Sequence, residues 1–146
     1  MTIKQGDIVK IGEHVVACGD SLDVEFVGRV ICGKKIRTVV TDPPYAVAYV
    51  EGKRNISTLG VATDKVIIGD QLQTDEQYAL FTKQWLLPVK SHLEAYNACY
   101  IFNSDSMYPA LRHGMREAGF YYSQMIIWIK NHVVIGRKDY LPMFEL

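Results

Sequence analysis

The four residues Asp42-Pro43-Pro44-Tyr45 place an acceptor carboxylate, two proline carbonyls and an aromatic ring side by side. Proline fixes φ and has no N–H, so its carbonyl is aimed without a competing donor. The set can accept hydrogen bonds from a ligand and offer it a flat face. Proline makes up only about 5% of residues in general, so the tetrapeptide is rare by chance. The plainer alternative is a turn whose prolines merely stop a strand from pairing. The other candidate groups are less organised. Cys18, Cys32 and Cys99 are odd in number, widely spaced and contain no CxxC pair. They are expected to be buried free thiols in a reducing cytosol, not zinc ligands. His14, His92, His113 and His132 have no metal-binding spacing either.

The elements around the tetrapeptide place it. Ile36 to Thr41 is apolar on both parities (Ile36, Val39, Val40), which predicts a strand buried on both faces of a parallel sheet. The strand must stop at the prolines. In open α/β sheets ligands bind beyond the carboxyl ends of the strands, where this tetrapeptide sits. Upstream, Ile8 to Ile11 and His14 to Cys18 flank Gly12-Glu13 and read as a hairpin or two short strands. Asp20 or Ser21 is expected to cap a short helix through about Val30, and Gly33-Lys34-Lys35 to form a turn. Downstream, residues 46–64 carry Gly52, Gly60, Glu51, Lys53 and Arg54 and read as a long surface loop.

Thr74-Asp75-Glu76-Gln77 has the form of a capping box. The helix behind it carries Tyr78, Phe81, Trp85 and Val89 on one stripe, read as core, and Pro88 is expected to kink or split it. Ala98 to Phe102 is the next buried strand, with Asn103-Ser104-Asp105 as its polar end. A helix from Met107 to Ala118 closes with Gly119, a final strand runs from Tyr121 to Lys130, and the tail from Asn131 to Leu146 reads as loop. Alternating strands and helices predict an α/β fold with a mostly parallel sheet.

Composition agrees. The chain has 146 residues, one domain's length, with 49% hydrophobic, 22% charged and 11% aromatic residues. That excludes a disordered or collagen-like chain. Sixteen basic and sixteen acidic residues give zero formal charge, which argues against binding nucleic acid by bulk charge but leaves local basic faces open. The start lacks an apolar signal core, and no apolar run approaches the roughly 18 residues of a membrane span. A soluble, cytoplasmic protein is expected.

At Asp42-Pro43-Pro44-Tyr45 the chain resembles the amino-methylating DNA methyltransferases that use S-adenosylmethionine, whose catalytic motif is Asp-Pro-Pro-Tyr. The resemblance extends outward. Ile11-Gly12-Glu13-His14 through Cys18-Gly19-Asp20-Ser21-Leu22 is similar to the segment before that motif in the permuted β group. Ile67-Ile68-Gly69-Asp70 is similar to the family's Ile-x-Asn-Asp element, with Gly for Asn. Ile127-Trp128-Ile129-Lys130 resembles its Trp-x-Lys strand, and Gly136 to Tyr140 the stretch after it.

The resemblance implies a Rossmann-like methyltransferase sheet with helices on both faces. It implies methyl transfer to adenine N6 of a base flipped out of double-stranded DNA. An exocyclic amine is a poor nucleophile because its lone pair is delocalised into the ring. Asp42 and a carbonyl of Pro43 or Pro44 would grip both amino hydrogens and turn the lone pair toward the methyl donor. Tyr45 would stack on the base. Asp20, with Ser21, would contact the cofactor's adenosine, against a plain role as helix cap. DNA contacts would fall on Lys53, Arg54, Lys130, His132, Arg137 and Lys138.

Two departures qualify these expectations. The 146 residues contain no Phe/Asp-x-Gly-x-Gly, the family's cofactor turn, and Met143-Phe144-Glu145-Leu146 has Phe where His is common. The chain is therefore expected to be the amino-terminal part of such a domain, completed by a C-terminal segment or assembled as a homodimer. The competing expectation is an inactive remnant that binds DNA or a partner subunit.

Overall fold

The computed structural model describes residues 2–48, 67–132 and 143–146. The chain starts as the expected hairpin, with β1 (Ile8–Ile11) antiparallel to β2 (His14–Ala17) across Gly12 at φ 60°. Asp20 then accepts the Leu22 N–H at 2.9 Å, and its own carbonyl takes the Asp23 N–H at 3.2 Å. This tight turn delivers Asp23, not Asp20 or Ser21, to the cap of α1 (Val24–Ile31). Asp23 Oδ1 accepts from the Glu25 and Phe26 N–H groups at 2.9 and 3.0 Å. The helix begins later than expected because the first carboxylate is consumed in forming the turn.

Strand β3 (Ile36–Thr41) forms where the apolar run predicts it. It pairs parallel to β4 (Leu93–Ile101), with Val39 opposite Cys99, Val40 opposite Tyr100 and Thr41 opposite Ile101. Between them runs α2 (Asp75–Lys90), opened by the expected reciprocal box of Thr74 and Gln77. Pro88 does not split this helix. It lies in the last turn, where its missing N–H leaves only one carbonyl without its usual donor. Helix α3 (Tyr108–Glu117) ends at Gly119 with φ 74°, and Lys90 Nζ donates to the Ala118 carbonyl at 2.6 Å.

The core lies between α2, α3 and one face of β4. Tyr78, Trp85 and Leu86 meet Met107, Leu111 and Met115, with Cys99 and Ile101 packed beneath. The opposite face of the sheet is open among the described residues: Val40 is 67% exposed and its partner Tyr100 47%. Among the described residues β3 is therefore not buried on both faces, because α2 and α3 lie on one side and α1 contacts α2. The fold of the described residues is α/β with one parallel pair and two antiparallel pairs.

Tyr121 to Lys130 forms a strand only at β5 (Trp128–Ile129), which pairs antiparallel with β6 (Phe144–Glu145) in the tail expected to be loop. The preceding segment is tied to α3 instead of joining the ladder. The Phe120 N–H returns to the Met115 carbonyl, and Arg112 lies 4.3 Å from the Tyr122 ring centroid. The cysteines are free but not buried as expected. Cys18 and Cys32 are exposed and Cys99 is half-buried, which pushes its thiol up to about 11. No helix among the described residues is long and apolar enough to cross a membrane.

Candidate active site

The β3–β4 ladder closes where the Phe102 N–H reaches the Thr41 carbonyl at 3.0 Å. Asp42 and Asn103 follow directly, at the carboxyl ends of the two strands. Asp42 is exposed, Pro43 is buried, and Pro44 and Tyr45 are half-buried. The Tyr45 hydroxyl donates to Asp42 Oδ1 and orients the carboxylate. An ionised carboxylate offers about four acceptor positions, so Asp42 retains capacity for an incoming donor. Behind the turn Gly69, at φ 87°, lets the Pro44 ring approach: a Cβ there would lie 3.3 Å from Pro44 Cγ.

Past Tyr45 the backbone is strained. Ala46 and Ala48 have φ of 56° and 50°, the left-handed region that costs an L side chain about 1 kcal/mol or more. Ala46 is buried in the core. Asp70, only 5% exposed, spans this segment. Its Oδ1 accepts the Val47 N–H at 3.3 Å and its backbone carbonyl the Ala48 N–H at 2.7 Å.

A polar pair lies beneath the strand ends. The fully buried Tyr78 donates its hydroxyl to Asn103 Oδ1 at 3.1 Å, and the same oxygen accepts the Ser104 N–H at 2.9 Å. These bonds fix the amide, and its Nδ2 has no partner among the described residues. Burial first, then the charges of Asp70 and Asp42, hold the Tyr78 phenol well above its ordinary value of 10. The folded chain thus keeps a proton that the unfolded chain releases near pH 10. The associated stability is intact below pH 10 and is lost as the pH rises beyond it. Above that point wild-type stability should fall about 1.4 kcal/mol per pH unit more steeply than that of Tyr78→Phe. Denaturant titrations at successive pH values measure both slopes, and equal slopes would refute a neutral buried phenol.

The structure brings together Asp42, Pro43, Pro44 and Tyr45 and adds Asp70, Tyr78 and Asn103. Asp20 and Ser21 lie on the exposed turn before α1, and Asp20 is engaged locally with Leu22 and Asp23. Lys130 is half-buried at the end of β5, with Nζ 5.7 Å from the Trp128 ring centroid. His132 is exposed, its Nδ1 2.7 Å from Asn131 Oδ1. Lys53, Arg54, Arg137 and Lys138 fall outside the described residues. Of the added residues, Asp70 had a sequence signal in Ile67-Ile68-Gly69-Asp70. In the sequence Tyr78 is one member of an apolar stripe, and Asn103 has the form of an ordinary polar strand end.

A family model for DNA methylases matches residues 36–146. The match begins at the first residue of β3, spans the whole site and excludes the hairpin and α1, as well as the turn between them that carries Asp20 and Ser21. No curated protein and no solved structure matches the chain. With most of its length covered by that model, the chain belongs to the DNA methylase family.

Proposed function

We propose that the chain carries the target-base half of a methyltransferase that modifies adenine N6 in double-stranded DNA. The observation that carries the reading is the Asp42-Pro43-Pro44-Tyr45 turn at the end of a parallel strand, inside the family match. Asp42 and the Pro43 carbonyl accept the two hydrogens of the exocyclic amine and bring the nitrogen lone pair out of conjugation. Tyr45 lies against the base, a contact worth about 1–3 kcal/mol in nucleic-acid sites. The base must first leave the stack, at a few kcal/mol. Holding the amine in line then supplies much of the rate, since alignment is worth about 7–11 kcal/mol. Asp at the first motif position favours adenine, where Ser would favour cytosine N4. Lys130 and the basic residues Lys53, Arg54, Arg137 and Lys138 are read as phosphate contacts.

S-adenosylmethionine is the methyl source implied by the family. The described residues do not make a cradle for it by themselves. The 146 residues contain no Phe/Asp-x-Gly-x-Gly sequence to let backbone approach a cofactor. We therefore read the cofactor cradle as supplied by a glycine-rich segment outside these residues. The test is transfer of tritiated methyl groups to duplex DNA, with the chain alone and with a second polypeptide carrying Phe-x-Gly-x-Gly. Label in the DNA in either arm supports the reading, and none in both overturns it. The missing glycine turn also favours a second reading, a subunit that holds DNA without catalysis. Micromolar binding of S-adenosylmethionine to the chain in calorimetry would refute that one.

A further inference from the structure

We infer that Asp70 is a positioning residue that clamps the strained segment behind the Asp42–Tyr45 turn and so aims the turn at its substrate. The inference rests on the reading of that turn as the group that grips the target amine. The geometry is specific. Two non-glycine residues in left-handed conformation, Ala46 and Ala48, lie just past Tyr45. Nothing in the alanine side chains favours that conformation, so it persists only where its surroundings impose it. Asp70 supplies such a constraint from a different part of the chain. Its carboxylate holds the Val47 N–H and its carbonyl holds the Ala48 N–H, so both ends of the Asp70 residue bracket the segment.

The approach of Asp70 is itself set locally. Gly69 at φ 87° turns the chain so that Asp70 faces the segment, and that turn seats Pro44 against Gly69. The Asp70 N–H closes back on the Ile67 carbonyl at 3.3 Å. A buried carboxylate is costly unless its hydrogen bonds are made, which gives the segment a reason to stay on it. The clamp's bonds to Val47 and Ala48 go to backbone just past the motif, so its loss should alter how the turn is aimed, not which groups the turn carries.

The test compares Asp70→Ala, which removes the acceptor, with Asp70→Asn, which keeps an oxygen at Oδ1. Two readouts are taken on the full chain. Amide hydrogen exchange should quicken at Val47 by about 10-fold or more in Asp70→Ala, while amides in α2 and α3 keep their protection. Under conditions where the wild type labels DNA, single-turnover methyl transfer should slow about 10- to 100-fold in Asp70→Ala, as expected for a misaimed group. KM for DNA should stay within about threefold, and Asp70→Asn should restore most of both readouts. Wild-type transfer by Asp70→Ala overturns the inference. So does a uniform loss of protection across α2 and α3, which would mark Asp70 as merely structural. If the wild type transfers no methyl group at all, the reading of the turn fails, and the exchange at Val47 decides the clamp by itself.

Discussion

Replacing Asp42 with alanine is expected to lower methyl transfer to DNA by about 100- to 1,000-fold, the usual cost of deleting one preorganised hydrogen-bonding group from a reacting centre. Asp42 is the charged acceptor of the turn, and Tyr45 already orients it. On the proposed reading its removal would leave the amine with at most a proline carbonyl, so the lone pair would stay in conjugation. Because the amine must be held in the transition state, the loss should fall on kcat, with KM for DNA nearly unchanged. The side chain is exposed and outside the core, so the melting temperature should not move appreciably. Label incorporation that survives Asp42→Ala would remove Asp42 from the chemistry.

The largest stability effect is expected at Gly114. A Cβ on this residue would lie 2.3 Å from the Ala79 carbonyl oxygen and 2.6 Å from Thr82 Cβ. Gly114 is a point of close approach between α2 and α3, and the nearest atom is backbone, which cannot rotate aside. Alanine is the better helix former by about 1 kcal/mol. The forced separation of two packed helices opposes that gain at about 1–3 kcal/mol, and a rigid obstacle puts the cost at the upper end. Gly114→Ala should therefore melt several degrees lower. Gly28 provides the opposite case: it lies inside α1, and a methyl group added there would meet nothing within 4 Å. Gly28→Ala should raise stability by about 0.5–1 kcal/mol. Thermal melts of the two variants check both signs, and equal shifts in the same direction would contradict the packing of α2 on α3.

The tetrapeptide and its strand were legible because both rest on local chemistry. Prolines end a ladder wherever they fall, and Ile36 to Thr41 reads as strand on propensity alone. The Thr74–Gln77 box and Gly119 were legible for the same reason. The covering of β3 was not, because Val40 is as apolar as Val39 and only the partners brought to each face decide that Val39 is half-buried and Val40 exposed. Tyr121 to Lys130 has the composition of a strand, yet the stacking of Tyr122 against Arg112 holds its first part on α3. Asp23 took the cap because Asp20 turns the chain first, a competition between two identical side chains that spacing does not resolve. Asp70, Tyr78 and Asn103 reach the site from outside the motif: Asp70 and Asn103 from separate loops, Tyr78 from helix α2.

What defines the proposed chemistry is the atom that receives the methyl group. The most direct measurement digests duplex DNA treated with the chain, a second polypeptide carrying Phe-x-Gly-x-Gly and S-adenosylmethionine to nucleosides, which are separated and identified by mass. N6-methyladenine should appear with the wild type and be lost with Asp42→Ala. N4-methylcytosine as the product would contradict the assignment of adenine, and methylated nucleoside formed equally by Asp42→Ala would contradict the role of the turn.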